Sequence, residues 1–298
     1  MKLSQYAYLA FTMAGAVIAS SCIRDEIPDC PALQVNIIVK DKNYFNVDKV
    51  DLEDRISEDL PFKEYVPTLY WVLRDVATGD VVDGSNGVIR VNGDEKSVTP
   101  SICPCIPHGK YVLTVWGGLE SSEHLTENMD RLSFHPGNTQ GADVYMTNDT
   151  LLYDAWHNNH TVELERTKGK LIVEKVGIPS YIVKTDKNIT GIYGDLHHHN
   201  FTYGGETSVR SLMDIADHSR TISKTFLSPS VKKDGSNLNI QFLSKEGLPD
   251  IKSGNVKINM YRNELTWVRY VWDPATGSFK IYVKINDSWE LVNNMGIL

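Results

Sequence analysis

Apolar and polar residues alternate along most of this chain with a period of two. Leu33, Val35, Ile37 and Val39 are interleaved with Gln34, Asn36 and Lys40; Leu238, Ile240 and Phe242 with Asn239 and Gln241; Val256, Ile258 and Met260 with Lys257 and Asn259. The clearest run sets Phe279, Ile281, Val283 and Ile285 against Lys280, Tyr282 and Lys284. Each run predicts a half-buried strand with its apolar face inward, because successive strand side chains point to opposite sides. Turn chemistry separates the strands. Thr68 to Arg74 leads into Asp75-Val76-Ala77-Thr78-Gly79, and Thr266 to Trp272 leads into Asp273-Pro274-Ala275-Thr276-Gly277, each ending in a glycine that can adopt positive φ. One such turn in each half hints at two related sandwiches. Helical periodicity is confined to Ser121–Leu132 and Ser208–Asp217, the latter placing Val209, Leu212, Met213 and Ala216 on one face. Strands at regular spacing with little helix predict an all-β chain of antiparallel β-sandwiches.

The amino terminus has a different texture. Lys2 precedes an apolar stretch from Tyr6 to Ala19. That stretch is shorter than the roughly 20 residues needed to span a membrane core, and it fits the apolar region of a secretory signal. It ends Ile18-Ala19-Ser20-Ser21-Cys22, which resembles a bacterial lipobox whose cysteine becomes the acylated first residue. Multiple acyl chains at Cys22 meet the requirement of about two lipid signals for stable anchoring, so an exported, membrane-tethered protein is expected. Ile23-Arg24-Asp25-Glu26 is similar to the short charged signals that send Bacteroidetes lipoproteins to the outer face of the outer membrane. Beyond a signal peptide at 1–21, the remaining length predicts two domains at about 150 residues each. The boundary is placed at the polar Arg166-Thr167-Lys168-Gly169, giving 22–167 and 168–298.

Composition narrows the partners. The 298 residues carry 30 Lys+Arg against 38 Asp+Glu, a net charge of −8, and are 41% hydrophobic, which describes a folded chain with a sizeable core. With no cluster of basic residues, nucleic acid is excluded as an expected partner. Apart from Cys22, the cysteines are Cys30, Cys103 and Cys105. A disulfide across Cys103-Pro104-Cys105 is hard to close, so Cys30 with either Cys103 or Cys105 is the expected bridge in an oxidising compartment. The connection from Asp41 to Pro67 is acidic, but it lacks the Asp-x-Asp-x-Asp-Gly spacing of a calcium loop and reads as a solvated surface loop.

Motifs for catalysis, cofactors and metals are missing: there is no Gly-x-Ser-x-Gly, P-loop, Gly-x-Gly-x-x-Gly or His-Glu-x-x-His. Ser230-Val231-Lys232-Lys233 matches Ser-x-x-Lys without its companion motifs. His197-His198-His199, and the pair His157 and His160, lie on extended segments where neighbours diverge, so they read as polar loop residues rather than a zinc site. Tyr270 and Trp272 share one strand face, opposite Trp267, and offer an aromatic pair for a glycan. A surface glycan-binding lipoprotein is therefore the alternative to a structural role. Four Asn-x-Ser/Thr sequons, at Asn148, Asn159, Asn188 and Asn200, carry no weight in a bacterial lipoprotein, while Asp149-Thr150-Leu151 looks like a short Bacteroidetes O-glycosylation site.

A family resemblance runs from Cys22 to about Val176. It is carried by the lipobox, Arg24-Asp25-Glu26, Asp29-Cys30-Pro31 and a first strand, then Gly109-Lys110-Tyr111-Val112-Leu113-Thr114-Val115-Trp116-Gly117-Gly118, and then Asn148-Asp149-Thr150-Leu151-Leu152-Tyr153. Asp154 stands where a small residue usually follows Leu-Leu-Tyr. In this order the chain resembles the FimB-type fimbrial anchor and minor-subunit lipoproteins of Bacteroidetes. The resemblance implies two tandem transthyretin-like antiparallel β-sandwich domains and an outer-membrane component that holds a fimbrial shaft at the cell surface. It implies shaft subunits as partners and no catalytic residues, and it carries over one functional residue, Cys22. Such subunits associate by strand addition. Phe279–Ile285 is expected to complete its own domain, and Trp289–Leu298 is left open as a donor or a domain strand.

Overall fold

The alternating segments pair into three sheets. The computed structural model describes residues 31–102, 105–118, 131–233, 235–246, 249–252, 254–285 and 288–295, and contacts group Ala32–Leu298 as one compact unit. The first sheet runs in the order β3 (Val81–Arg90), β2 (Thr68–Asp75), β5 (Gly109–Gly117), β7 (Tyr145–Tyr153), β8 (Asn159–Arg166), β1 (Gln34–Val39) and β4 (Ser97–Val98). The second runs β11 (Thr202–Asp214), β10 (Ile182–His197), β13 (Ser236–Ser244) and β14 (Pro249–Lys252), with β15 (Val256–Ile258) on β13 and β6 (Arg131–Ser133) on β10. The third runs β12 (Arg220–Leu227), β9 (Gly169–Val176), β16 (Leu265–Asp273), β17 (Ser278–Ile285) and β18 (Ser288–Met295).

The first sheet folds on itself. β7 and β8 pair only at Tyr145 with Arg166 and Met146 with Glu165, then diverge, so β1 and β8 face β2, β5 and β7 across a core. The alternation read from the sequence supplies that core: Val35, Ile37 and Val39 pack with Val162 and Leu164 against Leu69, Trp71, Leu113 and Val115. The second and third sheets enclose another core, to which Leu238, Ile240, Phe242, Val256, Ile258, Phe279 and Ile281 each contribute the predicted inward face. Both predicted turns are hairpins. The Asp75 carboxylate accepts the Ala77 and Thr78 amides, Asp273 accepts that of Ala275, and Gly79 and Gly277 have φ of 79° and 60°.

Three features differ from the sequence reading. β1 with β8 and β9 with β16 are parallel pairs, against an antiparallel expectation. Local alternation says nothing of a strand's partner, and the long chain between each pair supplies the crossover that parallel pairing needs. Ser208–Asp217, read as helix, belongs to β11 as far as Asp214, laddered to β10 from Lys184↔Asp214 to His197↔Thr202. That ladder satisfies the main chain and overrides a weak helical period, leaving Leu212 exposed rather than on a buried face. Of Ser121–Leu132, residues 121–130 lie outside the described residues, and Leu132 is in β6. The acidic 41–67 connection is packed, not merely solvated: Tyr44, Val47 and Val50 cover Ile172, Leu265 and Trp267 of the third sheet, while Phe62, Tyr65 and Val66 enter the first core.

Candidate functional site

The residues singled out by sequence do not converge on one chemical centre. Cys22, Cys30 and Cys103 lie outside the described residues, and Cys105 is exposed ahead of β5. His198 is buried with its ring 5.1 Å from Trp116, and the His199 ring lies tilted against it at 4.3 Å. His157 bonds Asp154 at 2.9 Å and His160 bonds the Leu152 carbonyl at 2.9 Å. Among the described residues no three His, Cys, Asp or Glu side chains are placed to share a metal ion. Ser230 hydrogen bonds Ser236 at 2.6 Å and accepts the Met260 amide, a structural tie between strands. The aromatic pair offered as a glycan platform does not exist as an exposed surface. Tyr270 is fully buried, and Trp272 packs edge-on to Phe279 at 5.0 Å as part of the second core's margin. The same alternation that puts Phe279 and Ile281 inside places Tyr270 with them.

The sheet opens where β7 leaves β8. Beyond Met146, β7 pairs with β5 alone, and from Asn159 to Leu164 β8 pairs with β1 alone, among the described residues. Two strand edges therefore face each other across a slot of about 560 Å³. Leu151 and Val162, buried in the first core, form its floor; Asn148, the exposed Thr150, His160 and Glu163 form its walls. Asp149-Thr150-Leu151 thus lines the slot. At one end Glu165 takes Lys40 at 2.8 Å and Arg262 at 2.6 Å. Burial works to raise the Glu165 carboxyl, but the hydrogen bonds from Arg262 and Lys40 hold it below the usual carboxylate range. At the far side of the slot Asn148 donates to the His199 carbonyl. The His160 ring reaches across from β8 to the Leu152 carbonyl of β7, and elsewhere along the slot neither edge is laddered to the other. An edge without a ladder partner above apolar positions is the chemistry that strand addition requires.

Sequence reasoning missed a second constellation, at the expected interdomain linker. Arg166, Thr167 and Lys168 are buried, not solvated. Arg166 donates to Asp143 and Asn263 at 2.9 Å each and to the Tyr145 hydroxyl, and its guanidinium lies 4.1 Å from the Tyr44 ring centre. Lys168 donates to the carbonyls of Phe134 at 2.7 Å and Gln140 at 2.9 Å. Burial pushes its ammonium down to about 7 against the pull of Asp143, and burial raises Asp143 against the pull of Arg166. Next to it, burial and the Lys168 charge push His135 down to about 3. A polar run containing glycine is the same signal in a linker and in a buried clasp, so periodicity could not have found this one.

Neither a protein-family model nor a curated protein matches the chain in sequence. Solved structures do match in fold. A candidate adhesin from Bacteroides thetaiotaomicron VPI-5482 is similar over 90% of this chain and 100% of its own, at 14% identity and a TM-score of 0.60. The fimbrial anchor protein Mfa2 from Porphyromonas gingivalis is similar over 89% of this chain and 100% of its own, at 12% identity and a TM-score of 0.52. A candidate polysaccharide-binding protein from B. thetaiotaomicron VPI-5482 is similar over 87% of this chain and 98% of its own, at 12% identity and a TM-score of 0.55.

Proposed function

We propose that this chain is a cell-surface lipoprotein, tethered to the outer membrane through acylated Cys22, that anchors or initiates a fimbrium by β-strand pairing with a shaft subunit. The observation that carries this reading is the slot between β7 and β8, where two strand edges lie open over the apolar floor of Leu151 and Val162. A donated strand would pair its main chain with β7 or β8 and set alternate side chains over that floor. The fold shared with the fimbrial anchor Mfa2 supports the same role. In this reading the chain is an acceptor. β17 lies inside the third sheet between β16 and β18, and Ser288–Met295 pairs with it as an edge strand, so the tail is engaged at home. Residues 296–298 lie outside the described residues. Residues 22–167 and 168–298 serve in this proposal as the two domains, the first carrying the slot.

The test is deletion of the gene in its own host, with imaging of cells and assay of the medium for detached fimbriae. Shed or overlong fimbriae are the expected result; unchanged fimbriae on the cell sink the anchoring role. Thr150→Trp, which fills the slot from an exposed wall position, separates anchoring in general from anchoring through this site. It should reproduce the deletion while the protein stays at the surface in normal amount.

A further inference from the structure

The interior between the second and third sheets changes character at one end. Through most of its length it is apolar, with Leu171, Val173, Ile189 and Ile240 meeting across it. Where β11 and β12 form the sheet margins, the inward positions become Lys175 on β9, Thr185 and Lys187 on β10, and Ser223 and Thr225 on β12. These side chains line a cavity of about 340 Å³. Lys175 is only 2% exposed and Lys187 5%. Lys175 donates to the Thr185 hydroxyl at 3.1 Å; Lys187 donates to the Thr225 hydroxyl at 2.5 Å and approaches that of Ser223 at 3.5 Å.

The absence of a counter-charge is the informative fact. Among the described residues, neither ammonium has a carboxylate partner, and the charge acting on Lys175 is that of Lys187, which repels it. The two further charged residues on the lining are also cations, Lys224 and Arg210, whose side chains belong by strand alternation to the opposite, more exposed sheet faces. Their own partners, Glu53 for Lys224 and Asp186 for Arg210, are not part of the lining. A buried charge is normally paired, because leaving water without a partner costs several kcal/mol per ion. Two such groups facing one hydroxyl-lined space are arranged for a ligand that brings negative charge. An ammonium has three donors, so each lysine retains capacity beyond its hydroxyl contacts, and the hydroxyls of Thr185, Ser223 and Thr225 can donate as well.

We infer that the cavity bounded by Lys175, Lys187, Thr185, Ser223 and Thr225 binds a compact oxyanion of the phosphate or sulfate class. Such an ion accepts hydrogen bonds from every side and needs only donors around it, which is the set the cavity offers. The space exceeds one tetrahedral oxyanion, so the ion can be free or can be the ester group of a larger molecule. Burial pushes Lys175 down to about 7 and Lys187 to about 8, and a bound anion would draw both toward the charged form.

The experiment is calorimetric titration of the full chain carrying Cys22→Ser at pH 7, with sodium phosphate, sodium sulfate and sodium chloride at matched ionic strength, accompanied by thermal melts. Phosphate or sulfate should bind saturably at one site per chain and raise Tm, and chloride should not. Lys175→Met and Lys187→Met should each weaken binding about tenfold or more, the effect of losing one charge-assisted contact. Both variants should melt at or above the unliganded parent, because each removes an unpaired buried charge, which also shows that they fold. A sugar sulfate or phosphate monoester that binds about tenfold more tightly than the free ion identifies an ester as the occupant; equal affinity identifies the free ion. No saturable binding of either oxyanion, or a Tm rise that persists in both lysine variants, overturns the site.

Discussion

The Nε of Arg166 donates to Oδ2 of Asp143 across 2.9 Å, joining the end of β8 to the residue two places ahead of β7. Both side chains are largely withdrawn from water, at 7% and 20% exposure. The pair lies at the end of the short ladder between β7 and β8, where the slot begins. Removing one partner leaves the other charge unpaired, whereas an apolar pair of matched volume does not. Asp143→Ala is expected to lower unfolding free energy by about 3 kcal/mol or more. The double variant Arg166→Met/Asp143→Leu should lose less than Asp143→Ala alone. Urea denaturation of the three proteins checks the order.

His135 gives the protein an acid limit. Its Nδ1 faces the Thr139 carbonyl at 3.0 Å and its Nε2 the Ser228 hydroxyl at 3.1 Å, and burial with the Lys168 charge holds it neutral down to about pH 3. The unfolded chain takes up that proton near the ordinary 6.5, so between about pH 6.5 and 3 the unfolded state binds more protons. Stability contributed by His135 is therefore present above 6.5 and lost as pH falls through this window. Tm measured from pH 7 to 4 should fall less steeply in His135→Gln than in the parent.

The buried lysines act at the other end of the scale. Lys168 and Lys175 titrate at about 7 in the folded chain against 10.5 when unfolded, and Lys187 at about 8. Between those limits the unfolded state again binds more protons, so stability rises with pH from about 7 to 10 in anion-free buffer. A melt series in that range should show the rise, and Lys175→Met/Lys187→Met should flatten it.

Gly169 is expected to tolerate no side chain. A Cβ there would overlap the carbonyl oxygens of Tyr261 and Glu264. Gly169→Ala should destabilise by about 1–3 kcal/mol, the cost of overpacking a closed interior, measurable by urea denaturation.

Cys22→Ala is expected to abolish labelling by radioactive palmitate and move the protein from the membrane fraction to the soluble one. Retention of both label and membrane association overturns the lipobox reading.

Alternation and turn chemistry, which act between neighbours, were legible in the chain itself. They determined that it is all-β, that Val35, Ile37, Phe242 and Ile281 face inward, and that Asp75 and Asp273 open tight turns. What alternation could not carry was the choice of partner, since a strand's inward face is the same whether its neighbour runs parallel or antiparallel. Only the tertiary structure decided that β1 lies on β8, that β7 and β8 part after Met146, and that the 208–214 segment is a strand. The same limit hid the charged groups. Lys168, Lys175 and Lys187 look like surface lysines in the sequence, because their burial depends on strands and loops that other parts of the chain supply. Exposure works the other way for Tyr270, whose aromatic ring reads as a ligand platform along the chain and proves to be core once β16 is placed between β9 and β17.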